Sequence, residues 1–163
     1  MIGPPWIDGF LHDRRVGVLA IPRDGRPSLS TPVWYDWDGR RLRLQVEATS
    51  TKAKLLERAG GGLRVGFTVQ AEAPPYRYAV LYGPATLQPN EPGLRRRIAR
   101  RYFGRVAGDM YVQQEDAAGR DESKLRIVEI VPDRVSAHDF GPEAGRFARV
   151  YFALWRLVHP VRA

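Results

Sequence analysis

The segment Thr49-Ser50-Thr51-Lys52-Ala53-Lys54 puts three hydroxyls at the mouth of a short helix and two ammonium groups in its first turns. A helix start presents unpaired backbone N–H groups and the positive end of the peptide dipole. Hydroxyl donors and lysine charge added there make a seat for a phosphate. The same Ser and Thr also suit an ordinary N-cap, and the lysines a solvated helix face. Lysine is otherwise scarce. The chain has three, Lys52, Lys54 and Lys124, among 26 basic residues.

Other reaction chemistries find little support. There is no cysteine, which removes disulfides, thiolate metal sites and thiol nucleophiles. His12, His138 and His159 are scattered without metal-ligand spacing. The five serines sit in no Ser-His-Asp signature, and Gly60-Gly61-Gly62 follows a helix instead of opening one, unlike a phosphate-binding loop. Arg95, Arg96, Arg97, Arg100, Arg101 and Arg105 form the densest basic cluster. They read as a solvated helix face or as a contact for a polyanionic ligand through Arg–carboxylate pairs. Trp34, Tyr35 and Trp37 gather on one hairpin, suited to packing or to stacking on a flat ring.

These residues need a scaffold, and the hydrophobic pattern supplies one. Val16 to Ile21 reads as a buried strand, and Pro22 to Pro27 with its Asp24-Gly25 pair as a hairpin turn. Ser28 to Asp36 returns as a strand with Pro32 marking a bulge or an edge. A second Asp-Gly turn at Asp38-Gly39 leads to the alternating strand Leu42, Leu44, Val46. Three antiparallel strands thus feed the Thr49–Lys54 element, whose helix runs to about Arg58 and stops at the glycines.

Leu63 to Val69 and Tyr76 to Leu87 are further strands, the second with an expected bulge at Gly83-Pro84. Asn90-Glu91-Pro92 opens a helix with Pro92 at its first position. Val106 to Ala117 is a second helical stretch. Leu125 to Val131 and Val135 to Asp139 are the closing strands. Phe147, Val150, Tyr151, Leu154, Trp155 and Val158 then fall on one helical stripe, in a run aromatic enough to suit a strand as well. Six or seven strands in a small chain point to a closed or split barrel.

Composition bounds the rest. The 163 residues, 44% apolar, suit one domain, residues 1–163, with a real core. No apolar run is long enough to span a bilayer, and the N-terminus lacks a signal-peptide pattern, so a cytoplasmic location is expected, with no membrane partner. The net charge of +8 favours an anionic ligand. Basic strands with aromatics suit nucleic acid too, but no RNA-binding signature is present, and no nucleic-acid partner is expected.

In its ordered pieces the chain resembles the pyridoxamine 5′-phosphate oxidase-like split β-barrel superfamily, and within it the flavin/deazaflavin oxidoreductases that use FMN or F420. The pieces are Leu19 to Pro27, Thr31 to Leu42, Thr51 to Leu56, Leu63 to Val69 and Pro74 to Tyr78, in the family's order over roughly residues 15–90. The resemblance implies a mainly β chain with α elements: a six- or seven-stranded antiparallel split β-barrel with short peripheral helices. It also implies a homodimer with cofactor sites at the subunit interface.

The phosphate would sit by Ser50, Thr51, Lys52 and Lys54, with Lys52 as the phosphate ligand, and the ring along Thr31, Pro32, Val33 and Trp34. Arg77 and Tyr78 would reach toward the partner's cofactor. Where the family continues its lysine helix with Arg-Asn and an Asp-Pro turn, this chain has Lys54-Leu55 and Gly60-Gly61-Gly62. The function implied is hydride transfer between bound F420 or FMN and a small organic substrate, with a non-catalytic flavin-, F420- or haem-binding protein as the alternative. No catalytic residue and no metal is assigned. The arginine cluster, Lys54 and Arg58 favour F420, whose tail carries several carboxylates.

Overall fold

The computed structural model describes residues 3–143 and 145–158. The helix α1 (Ile7–His12) precedes four strands: β1 (Gly17–Arg23), β2 (Arg26–Val33), β3 (Asp36–Trp37) and β4 (Leu42–Glu47). Next come α2 (Thr51–Arg58), β5 (Leu63–Gln70) and β6 (Arg77–Pro89). An excursion of α3 (Leu94–Phe103) and α4 (Arg105–Ala117) follows, then β7 (Leu125–Ile130) and β8 (Arg134–Asp139). Two helices, α5 (Phe140–Glu143) and α6 (Arg146–Val158), complete the described chain.

The strands form one antiparallel sheet in the order β2-β1-β5-β6-β7-β4-β3, with β8 also on β6. With its short helices, this is the expected split barrel, now with eight strands, one of them only two residues long. The expected strand Ser28–Asp36 divides. Its first part is β2, and its last residues join β3 at the opposite end of the sheet order. The three-strand meander is therefore not continuous, because β2 pairs with β1 and β3 with β4. Trp34-Tyr35 bridges the two ends.

Tyr35 explains the break. Its ring is fully buried against Phe67, and its hydroxyl donates to the Leu11 carbonyl at 3.1 Å. Such an inward anchor competes with straight continuation of an edge strand. Pro32 lies on that edge strand opposite Val18, and the ladder stays in register there. The irregularity falls instead between Ile21 and Arg23, around Pro22.

No bulge occurs at Gly83-Pro84, where β6 keeps its register with β5 from Leu63↔Ala85 to Gln70↔Tyr78. Instead β6 changes partner on its other edge, from β8 up to Tyr82 to β7 from Ala85. The connection between β7 and β8 crosses at that point. Val131 N–H donates to the Pro84 carbonyl and Asp133 N–H to the Tyr82 carbonyl. A Cβ at position 83 would lie 2.3 Å from the Val131 carbonyl oxygen, so only glycine fits the crossing.

The alternating residues of the strands fill the interior. Leu19, Ile21, Leu42, Leu44, Phe67, Leu81, Val128 and Ile130 are buried in one cluster, sealed by Ile7, Phe10 and Leu11 of α1. Pro92 does not begin α3. It lies in the preceding turn, and the helix starts at Leu94 after a left-handed Gly93. The aromatic run 147–158 is helical, as its stripe predicts, while His159 lies outside the described residues.

Candidate functional site

The strand β4 runs directly into α2, and the turn between them sets the site. Ser50 is the N-cap of α2, with an extended backbone and a side chain that accepts from Ala53 N–H at 3.2 Å. Accepting that bond leaves the hydroxyl proton free to donate. No acidic residue stands in the first turn of α2. Ala53 and Leu56 bury the inner face of α2, which turns Lys52 toward a neighbouring cleft and leaves Thr51 and Lys54 exposed.

That cleft has a volume of about 390 Å³. It is lined by the end of β4, Gln45 to Glu47, by Ser50 and Lys52, and by Val33 and Trp34. The helices α3 and α4 contribute Arg95, Ile98, Ala99, Tyr111 and Glu115 to its lining, and Arg120 completes it. Arg120 reaches Glu47 at 3.3 Å.

Four of the ten residues expected to bind a cofactor, Val33, Trp34, Ser50 and Lys52, therefore line one cleft. Thr31 and Pro32 lie earlier on β2, outside it. The Thr31 hydroxyl oxygen is buried and has no hydrogen-bond partner among the described residues. Arg77 and Tyr78 begin β6 and border a separate groove with Gln70, Glu72 and Phe140. There Arg77 pairs with Asp139 at 2.9 Å, and the Tyr78 ring lies beside His138 and Phe140.

Trp34 is the aromatic side of the cleft. It stacks on Tyr102 at 5.0 Å between centroids and meets Phe103 and Tyr111 edge-on at 5.0 and 6.1 Å. The Tyr102 hydroxyl accepts from Tyr35 N–H at 3.2 Å and donates to the Arg15 carbonyl at 2.6 Å. Burial pushes the phenols of Tyr35 and Tyr102 above their ordinary value. Tyr111 is raised by burial and by its hydrogen bond to Glu115, and so stays a protonated donor.

The arginine cluster is held within the chain. Arg95 is buried, not exposed, and joins Glu115 at 3.2 Å, Glu122 at 3.1 Å and Asp116. Burial works against its charge, but the hydrogen bonds it donates to Asp116 and Glu115 prevail and raise its pKa. Arg100 grips Asp109 with two bonds of 2.7 and 2.9 Å, and Arg96 lies 3.7 Å from the same carboxylate. Arg97 pairs with Glu91 at 2.8 Å. Arg101 lies over the Tyr35 ring and donates to the Asp13 carbonyl at 2.7 Å. These arginines tie α3 to α4 and to the barrel; Arg96, Arg97, Arg100 and Arg105 stay exposed, as a solvated face would, and Arg95 lines the cleft while paired with its carboxylates.

Tyr111, Glu115 and Ile98 were invisible as site residues in the sequence, where they look like ordinary helix positions. The hint lay in the tight helical hairpin. A Cβ on Gly108 would lie 2.7 Å from the Arg100 backbone, so α4 must cross α3 closely there.

No family model matches the sequence, and no curated protein does. Solved structures do. A conserved hypothetical protein of Mycobacterium tuberculosis is 27% identical, with 85% of this chain and 86% of that one aligned at a TM-score of 0.64. A protein named F420 reductase is 20% identical over 82% of this chain and 98% of its own, at 0.58. A pyridoxamine 5′-phosphate oxidase-related, FMN-binding protein of Nostoc punctiforme is 13% identical over 85% of each chain, at 0.56. The chain shares the split β-barrel fold of these solved structures.

Proposed function

We propose that the cleft between α2 and the α3–α4 hairpin binds a flavin-type cofactor, F420 or FMN. On this reading the protein is an oxidoreductase that transfers a hydride between that cofactor and a small organic substrate. The observation that carries the reading is the meeting of Ser50 and Lys52, at a helix whose first turn carries no acidic residue, with Val33 and Trp34 in one cleft. Its volume lies in the usual range for small-molecule sites. The fold likeness to a protein named F420 reductase and to an FMN-binding protein supports the choice of cofactor class.

The cofactor supplies the hydride chemistry. The chain's residues would bind and orient it. Ser50 donates its free proton, Lys52 gives charge, and the first N–H groups of α2 complete the phosphate seat. Trp34 and Val33 border the ring, and Ile98 and Ala99 keep water from it. Thr51 and Lys54 stand exposed on the same helix, and Thr31 and Pro32 lie earlier on β2. The arginines of α3 are engaged within the chain, by carboxylates or, for Arg101, by backbone carbonyls and the Tyr35 ring, so recognition of an F420 tail would fall to Lys54 and Arg58.

We further propose a homodimer. Tyr76, Tyr78 and Tyr82 expose aromatic rings on or beside β6, where a second copy would cover them and bring Arg77 and Tyr78 toward its cofactor.

The test is an absorbance and fluorescence titration of the purified protein with FMN and with F420, followed by turnover with the reduced cofactor. Saturable binding with substrate-dependent oxidation supports the reading. Binding without turnover leaves a carrier or sensor of the same cofactor, and no binding of either overturns the assignment.

A further inference from the structure

The helix α6 turns its apolar residues outward. Phe147, Val150, Tyr151, Leu154, Leu157 and Val158 share one arc of the helix, and all are exposed, Phe147 at 87% and Leu157 at 78%. Ala148 and Phe152, on another side, are half-buried. From Ala144 to Ala163 the sequence contains four arginines and no aspartate or glutamate, which is half of the net charge of +8.

An apolar arc this open needs a cover, and the charge decides which. A second copy joined through α6 would bring two arginine-rich, acid-free segments together. The helix is also short: 13 residues, about 20 Å. One face of it offers only a fraction of the roughly 800 Å² per partner of a stable protein interface. An anionic lipid surface has neither problem. Its headgroups attract arginine, and an apolar arc bearing Phe, Leu, Tyr and Val is the pattern of a helix lying in the bilayer interface. Tyr151 and Trp155 are of the type enriched at that depth. Among the described residues no helix is long and apolar enough to cross a membrane, but lying on a surface requires no crossing.

We propose that α6 docks this protein on anionic membrane surfaces, with the arc Phe147–Val158 in the headgroup–acyl boundary. The docking is independent of the cofactor and is tested on the full chain without it. Co-sedimentation with vesicles of phosphatidylcholine alone, and of phosphatidylcholine mixed with phosphatidylglycerol, measures it. Binding to the anionic vesicles should exceed binding to the neutral ones by about tenfold or more, and fall as salt screens the charges.

The double variant Phe147→Glu, Leu154→Glu should lose that binding while keeping the wild-type circular dichroism of the barrel. In the wild type, lipid-borne quenchers should reduce tryptophan emission, a readout that does not depend on the variant folding. No binding to anionic vesicles, binding that the double variant retains, or a variant that loses self-association in sedimentation where the wild type binds no vesicles would each overturn the proposal. The last outcome would assign the arc to a second copy of the chain.

Discussion

The indole of Trp34 lies on the ring of Tyr102, with centroids 5.0 Å apart and planes inclined by 16°. One ring belongs to the link between the two sheet ends, the other to the last turn of α3. The stack fixes the helical hairpin against the opening of the cleft. The Tyr102 hydroxyl adds two bonds, to Tyr35 N–H and the Arg15 carbonyl. Tyr102→Phe keeps the stack and orphans those two backbone groups. The expected loss is about 1–3 kcal/mol of stability, read from urea unfolding midpoints. An unchanged midpoint would mean that water replaces the hydroxyl at no cost.

Lys52→Ala should weaken cofactor binding by roughly one to two decades, the worth of a charge-assisted contact to phosphate, and leave the unfolding transition in place. Lys54→Ala, on the exposed side of the same helix, should change FMN affinity far less. Equal effects from both substitutions, at matched ionic strength, would put the phosphate seat elsewhere.

Arg95→Ala should destabilise the α3–α4 hairpin. Its guanidinium is buried and serves three carboxylates, and its loss leaves Glu115, Asp116 and Glu122 crowded together. Those acids retain some contact with water, which lowers the cost below that of a fully buried broken pair. A loss of about 1–3 kcal/mol is expected. Hydrogen exchange should show it concentrated in residues 94–117. Uniform acceleration across the barrel would contradict a local role.

Acid should act on the same hairpin. The Arg100 hydrogen bonds beside Asp109 hold its carboxyl below the ordinary value of 3.8. A carboxylate depressed on folding contributes stability that is complete above its unfolded value and lost as pH falls through its folded one. Loosening of α3 against α4 is therefore expected only below about pH 4, and Asp109→Asn should remove that part of the acid transition. Hydrogen exchange or helical circular dichroism over a pH series checks it. A variant with the wild-type acid profile would show that the pair is not coupled to the packing.

The homodimer has its own test in sedimentation velocity at micromolar concentration. A dimer is expected, and Tyr78→Glu with Tyr82→Glu should shift it toward monomer. A monomeric wild type would contradict the proposed interface.

Strand placement was readable because period-two alternation reports directly on burial. Leu42, Leu44 and Val46 point inward as their spacing predicts. The partition of Ser28–Asp36 was not readable, since it depends on Tyr35 finding Phe67 and Leu11, contacts distant in sequence. The cap at Ser50 could be read from local chemistry, and so could the helix that carries Lys52. The helical lining of the cleft could not. Tyr111 and Glu115 acquire their setting from the fold-back of α4 on α3, and Arg95 looked like its neighbours until three carboxylates from outside its own helix met it. A run of arginines says how much charge is present; only the tertiary pairing says how much of it is spent.

The crossing at Gly83 carries a consequence for how this architecture tolerates change. Two hydrogen bonds, from Val131 and Asp133, flank a position with no room for even a methyl group. One β6 strand can serve two half-sheets only because the loop between β7 and β8 rests directly on bare backbone there. Any side chain at 83 would act as a wedge under that loop, lifting both hairpin arms together. Damage would thus spread to β4, which borders β7 and leads into Ser50, so a substitution on the far side of the sheet would be felt as a displaced phosphate seat.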